Sequence, residues 1–183
     1  MRFSAEFDQG KFNGLLLESN LDIGTIPEIE SNFAWRGYVA FIGNQYRTVN
    51  LLNWSANKVK RLVHSAFAAE TLSCTDALSD AVYCRQLVSE ILYNQPDSRV
   101  IEIFGFVDNL QLFDQISSTK QCSDKRIRLD VAEIQETVTK EVSTISWTPT
   151  ADMLADCLTK RGADFSKLAK VVEEGFCSAI SKC

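Results

Sequence analysis

Val100-Ile101-Glu102-Ile103-Phe104-Gly105-Phe106-Val107-Asp108 is a nearly unbroken apolar run that ends in an acid. A half-exposed strand alternates polar with apolar residues, so a continuous run marks a central strand covered on both faces. Asp108, at its carboxyl end, falls where open α/β sheets gather their sites. Upstream, residues 12–18 (FNGLLLE), 37–42 (GYVAFI) and 48–54 (TVNLLNW) are short apolar runs bounded by polar or turn residues, and predict three further strands. Gly43-Asn44-Gln45 reads as the hairpin connection between the last two. Residues 58–93 lack Gly and Pro and repeat Val63, Phe67, Leu78, Val82, Leu87 and Ile91 at helical spacing. They predict one long helix, stopped by Asn94-Gln95-Pro96-Asp97.

Beyond Asp108 the pattern gives a short helix over 110–116 and another over 123–138 with Ser123 as N-cap. A fifth strand follows over 142–147, ended by Pro149, and short helices start near 151 and 164. The order β-β-β-α-β-α-α-β-α-α, without repeats or a linker, predicts one mixed α/β domain with an antiparallel start and a central parallel strand. Its core spans about 12–160, with a helical tail over about 161–183.

Composition agrees with that class. The 183 residues are 45% hydrophobic and 23% charged, enough to build a core and to exclude wholesale disorder. Eight Gly and three Pro exclude a collagen-like or Pro-rich scaffold. A net charge of −5 excludes a globally basic nucleic-acid coat but leaves room for a local basic face. Glu6, Asp8, Lys11 and Glu18 interrupt the first twenty residues, which read as neither signal nor transit peptide. No apolar run approaches the ~18 residues of a membrane span. Of the six Cys, Cys74 and Cys84 lie ten residues apart in the predicted helix, ~15 Å and too far to bridge. With no C-x-x-C and a single His there is no zinc pattern. Reduced, buried thiols in a cytosolic or nuclear protein are expected.

Three acids stand among apolar neighbours: Glu70 in Phe67-Ala68-Ala69-Glu70-Thr71, Asp108 at the strand end, and Asp156 in Met153-Leu154-Ala155-Asp156-Cys157-Leu158-Thr159-Lys160. Each has an ordinary reading: a helix-surface acid for Glu70, an N-cap for Asp108, and an i,i+4 partner of Lys160 for Asp156. Converging carboxylates without cations repel one another; a divalent cation offsets this, and Mg²⁺ favours a few carboxylates with substrate phosphate oxygens.

The sequence resembles the ribonuclease H domain of copia-type LTR retrotransposon polyproteins. The matching stretches, in order, are Leu52-Asn53-Trp54-Ser55 with Lys58 to Arg61, Phe67-Ala68-Ala69-Glu70-Thr71 and Val107-Asp108-Asn109. Asp124-Lys125-Arg126-Ile127-Arg128-Leu129-Asp130, Trp147-Thr148-Pro149 and Leu154-Ala155-Asp156-Cys157-Leu158-Thr159-Lys160 complete the set. The resemblance implies a ribonuclease H-like fold, a five-stranded mixed sheet flanked by helices. It also implies two Mg²⁺ ions, with Mn²⁺ as a substitute, held by four acids that cut the RNA strand of an RNA–DNA hybrid. A reverse transcriptase domain of the same polyprotein, and a virus-like particle, are the implied company.

Glu70, Asp108 and Asp156 match three of the four acids, and the first aspartate of the family falls on Asn20. An amide cannot supply the charge that bridges two cations. Glu18 and Asp22 face the same way as Asn20 along a strand, but each is one strand repeat, ~6.6 Å, away; Asp22 is the candidate extra metal ligand. Lys58, Lys60 and Arg61, with Lys120, Lys125, Arg126 and Arg128, suit contact with hybrid phosphates, although charge runs are usually solvated faces. His64 and Cys157 read as non-catalytic, and Trp35, Trp54 and Trp147 as residues in or beside the sheet. Two functions follow: a Mg²⁺-dependent hybrid endonuclease, or a catalytically silent nucleic-acid-binding or scaffolding domain. Asn20 divides them. An integrase of the same superfold is disfavoured because Glu70 precedes Asp108.

Overall fold

Strand β2 (Trp35–Gly43) is covered on both faces, and the layers of the fold follow from that. Tyr38, Val39, Ala40 and Phe41 are all buried. Because side chains alternate along a strand, Tyr38 and Ala40 enter one apolar layer while Val39 and Phe41 enter the other. The structure is a computed structural model that describes residues 14–22 (backbone), 35–44, 46–59, 63, 65–95, 101–118, 120–160 and 162–177. β2 pairs antiparallel with β1 (Gly14–Asp22) and with β3 (Val49–Lys58); β4 (Glu102–Val107) pairs parallel with β1 and with β5 (Thr144–Trp147). The strand order is β3-β2-β1-β4-β5. The mixed α/β class with an antiparallel start is as the sequence predicts.

Helices α1 (Ala66–Tyr93), α2 (Leu110–Ser117) and α3 (Arg128–Glu141) form the layer over Tyr38 and Ala40. The opposite layer holds a 3₁₀ helix, Leu154–Leu158, and α4 (Ser166–Glu174), which cover Val39, Phe41 and Phe106. Residues after α4 return to the hairpin: Val49 N–H donates to Gly175 O at 2.8 Å and Cys177 N–H to Arg47 O at 3.1 Å.

Three of the helix readings change. Helix α1 begins at Ala66, not near 58, because β3 runs on to Lys58 and Ser65 supplies the cap, its hydroxyl accepting from Ala68 N–H at 3.1 Å. Helix α3 begins at Arg128 with no side-chain cap, so Ser123 is not its N-cap; Asp124 instead folds the preceding turn by accepting from Arg126 N–H at 2.9 Å. The segment near 151 forms 3₁₀ turns, not α-helix. The five described cysteines are buried and free, as expected. Among the described residues no helix is long and apolar enough to cross a membrane.

Gly37 sets how closely the 3₁₀ layer approaches the sheet. A Cβ there would lie 2.9 Å from Thr159 Cγ2 and 3.0 Å from Leu158 Cβ. Gly37→Ala is therefore expected to lower stability by about 1–3 kcal/mol, as overpacked cores do. Urea unfolding measures this, and an unchanged midpoint would refute the close packing.

Candidate functional site

The carboxyl end of β1 is the reference point. Asn20 pairs with Gly37 on one side, and Ser19 is level with Val107 on the other, so Asp108, the next residue after β4, stands at the level of Asn20. Glu70 comes from the α1 layer. It lies on the buried stripe of that helix, one turn before Ser73, whose hydroxyl donates to Gly37 O at 3.4 Å. Asp156 comes from the opposite layer. Its carbonyl accepts from Thr159 Oγ1 at 3.1 Å, and Thr159 is the residue against Gly37. Two elements bearing candidate acids thus meet the same strand residue, the partner of Asn20, from opposite faces.

Asp108 is held from several sides. Its Oδ2 accepts from Thr150 Oγ1 at 2.9 Å, and its carbonyl accepts from the Trp147 indole at 2.9 Å. Its Oδ1 is enclosed and, among the described residues, has no hydrogen-bond partner. Burial raises its pKa from the ordinary aspartate value; Thr150 and its own backbone amide oppose this, Asp156 adds to it, and Lys160 opposes it. Asp108 and Asp156 therefore sense one another. The helix cap expected of Asp108 belongs to its neighbour: Asn109 Oδ1 accepts from Leu112 N–H at 3.0 Å. Asp156 is paired with Lys160, with Nζ at 2.7 and 2.9 Å from its two oxygens.

An all-oxygen donor set suits a hard divalent cation, and the enclosed Asp108 Oδ1 is an acceptor of the right kind. Yet among the described residues no three or more Asp, Glu, His or Cys are grouped so as to hold a metal ion. Asp108 Oδ1 is one acceptor, and the described residues present no ready-made metal site around it. Asn20, Glu18 and Asp22 are placed by backbone register alone, opposite Gly37, Val39 and Trp35. Asn20 is level with Asp108; Glu18 and Asp22 are a strand repeat either side.

The basic residues divide in two. Lys58 is exposed at the end of β3, at the same end of the sheet as Asn20, while Lys60, Arg61 and His64 lie outside the described residues. Lys120, Lys125, Arg126 and Arg128 line the connection from α2 to α3. Lys125 and Arg126 are exposed there, and Arg128 is partly buried, its Nε donating to Cys122 O at 3.1 Å. The three tryptophans lie on β2, β3 and β5 but are 40–57% exposed, so they are not core residues.

A polar cavity of about 250 Å³ beside the site, lined by Arg36, Tyr38, Ser73, Asp76 and Asp80 among others, escaped the sequence reading. Arg36 pairs with Asp76, and the Tyr38 hydroxyl donates to Asp80. Burial and Asp80 raise the pKa of Tyr38, and burial raises that of Asp76 against the pull of Arg36. The i,i+4 spacing of Asp76 and Asp80 on the sheet side of α1 was the available signal.

Solved structures decide the architecture. LC11-RNase H1, solved in complex with an RNA/DNA hybrid, aligns with a TM-score of 0.55 and 16% identity, over 79% of this chain and 92% of its own. The fold is that of ribonuclease H. The N-terminal RNase H domain of rv2228c from Mycobacterium tuberculosis aligns at a TM-score of 0.53 and 17% identity, over 93% of this chain and 99% of its own. RNase H1 of the archaeon Halobacterium salinarum aligns at 0.51 and 15%, over 76% and 88%. No protein-family model and no curated protein matches the sequence. Within this ribonuclease H fold, Asp108 follows the central parallel strand β4.

Burying the Asp108 charge costs stability. With its folded pKa raised, the folded state holds the proton more firmly than the unfolded state, so this contribution falls as pH rises out of the ordinary carboxylate range. Asp108→Asn is expected to stabilise the protein at pH 7 by about 0.5–2 kcal/mol, with the gain vanishing at acid pH. Thermal melts across pH test this; a variant less stable than wild type at pH 7 would refute it.

Proposed function

We propose that the chain is a ribonuclease H-type hydrolase domain of copia-type retrotransposon descent that cuts the RNA strand of an RNA–DNA hybrid. The observation that carries this reading is the enclosed, unpartnered Asp108 Oδ1 at the end of β4, level with Asn20 in a ribonuclease H fold. The ordered motif resemblance supports the same assignment, as does the hybrid bound by LC11-RNase H1. A reverse transcriptase domain is the partner this descent entails, in a cytoplasmic, nuclear or particle setting.

In this reading Asp108, Glu70 and Asp156 hold a divalent cation, Mg²⁺ or in its place Mn²⁺. When bound, the ion supplies polarisation of the scissile phosphate and a more acidic water. Thr150 and Trp147 keep the Asp108 carboxylate and backbone in place, so it needs no reorganisation when substrate arrives. Glu70 adds charge from the α1 side, and Asp156 from the 3₁₀ side. Lys58 and the α2–α3 connection hold phosphates away from the cut, and Arg128 is kept in line by Cys122. The second reading is a silent hybrid-binding domain. It is favoured by Asn20 and by the hold of Lys160 on Asp156.

Cleavage of a labelled RNA–DNA hybrid with Mg²⁺ and with Mn²⁺ separates them. Asn20→Asp restores the missing charge and is expected to raise RNA-strand cleavage by about tenfold or more, while Asp108→Asn in that background abolishes it. If Asp22 or Glu18 serves instead, Asp22→Asn or Glu18→Gln inactivates the wild type and position 20 gives no gain. Silence of both wild type and Asn20→Asp leaves the binding-domain reading.

Hybrid binding is expected to weaken steeply with salt through counterion release. Replacing Lys125 and Arg126 with Gln should flatten the plot of log K against log salt by about one unit for each phosphate no longer neutralised. Binding indifferent to both changes would remove them from the interface.

A further inference from the structure

Two of the tryptophans that stand outside the core share one face of the β2–β3 hairpin. Trp54 is opposite Val39, which is buried under the 3₁₀ and α4 layer, so its side chain leaves the sheet on that side. Trp35 is four residues from Val39 on β2, hence on the same face, and its partner on β3 is Lys58. The two indoles are 40% and 57% exposed, and Lys58 is exposed. Ala56, a small residue opposite Gly37, stands between Trp54 and Lys58. Two residues along a strand advance ~6.6 Å, so Trp54 and Lys58 are ~13 Å apart on one strip.

Charge separates the two faces of the hairpin. On this face Trp35, Gly37, Val39, Trp54, Ala56 and Lys58 follow one another with no Asp or Glu among them. The other face looks into the polar cavity of Asp76 and Asp80. Glu18 and Asp22 of β1 are in the same rows but two strands, ~10 Å, from Trp54 and Lys58. Aromatic faces beside an ammonium suit an anion that carries flat rings. Single-stranded nucleic acid has that chemistry, with bases that stack on indoles and phosphates that meet lysines. Bases inside a duplex are already stacked on one another and offer Trp54 no free face.

We propose that Trp54 and Lys58, with Trp35 at the site end, form a binding strip for single-stranded nucleic acid: a base stacks on the Trp54 indole and Lys58 meets a phosphate. Lys58 ends β3 at the same end of the sheet as Asn20 and Asp108, three strands, ~14 Å, from β4. The strip therefore takes an unpaired strand where it continues from a duplex held at that end. This last placement rests on the reading above; the strip itself does not.

The test titrates the full chain with labelled short oligo(dT) and oligo(U) at low salt, reading anisotropy of the strand and emission of the tryptophans. Binding of either strand with quenched emission is expected, and the tighter of the two names the strand. Trp54→Ala should weaken it by about tenfold, and Trp54→Phe should restore most of the loss. Lys58→Gln should flatten the plot of log K against log salt by about 0.7 unit, the share of one phosphate on a single strand. An abasic strand of equal length keeps the phosphates and loses the rings, so wild type and Trp54→Ala should bind it alike. Equal affinity of wild type and Trp54→Ala for the oligomers, or an abasic strand held as tightly as oligo(dT), would overturn the strip. Failure to bind either oligomer would do the same and leave the indoles to a protein partner. A wild type that binds a blunt RNA–DNA hybrid but neither oligomer loses this inference alone. One that binds the oligomers but neither binds nor cuts the hybrid loses the reading above alone.

Discussion

The approach of two layers to one glycine organises the site end of the molecule. Gly37 has no side chain, so Thr159 and Leu158 pack directly on the β2 backbone while Ser73 reaches its carbonyl from the α1 side. A bulkier residue would push the Thr159 and Leu158 side off the strand. Because Glu70 is one helical turn from Ser73, and Asp156 is tied by hydrogen bonds to Thr159, the placement of both acids depends on that contact. Asp108 is set separately, by the parallel register of β4 on β1. Packing therefore positions two of the acids and strand pairing the third.

The electrostatics run against the packing. Asp108 carries an enclosed oxygen without a partner and a proton affinity raised by burial. Nothing in folding requires that arrangement, and a structural aspartate is normally satisfied. Sites that bind charge commonly sacrifice stability in this way. Lys160 pairs with Asp156 and opposes the raised proton affinity of Asp108 only in part.

Much of the fold was legible because the deciding signals are local. The continuous run at 100–107 marks a strand covered on both faces, and the short apolar run over 37–42 a further strand. The boundaries that shifted are those where local signals compete. Residues 58–65 lack Gly and Pro and look helical, but pairing with β2 keeps Lys58 in a strand, and Ser65 is the cap that starts α1. Asp108 and Asn109 are both good caps by type, and only the turn geometry selects Asn109. The candidate acids came from the family resemblance, whereas Thr150 had no signal, since a threonine forty-two residues from Asp108 carries no mark of its contact with it. The Tyr38–Asp80 and Arg36–Asp76 contacts were hidden for the same reason: each joins β2 to α1 across about forty residues, a relation no short window contains.

The buried Arg85 has one more consequence. It pairs with the Glu141 carboxylate and donates from Nη1 to the Glu141 carbonyl at 2.9 Å, fastening the far part of α1 to the end of α3. Glu70 lies fifteen residues back from Arg85 on α1, about 22 Å, and Arg128 lies thirteen residues back from Glu141 on α3, about 20 Å. The ion pair adds a polar tie to the apolar packing of Val131 and Ile134 in the core they share with Ala77, Leu78 and Ala81 of α1. A buried guanidinium thus holds the C-terminal part of α1 against α3 where apolar packing alone would leave a charged helix end.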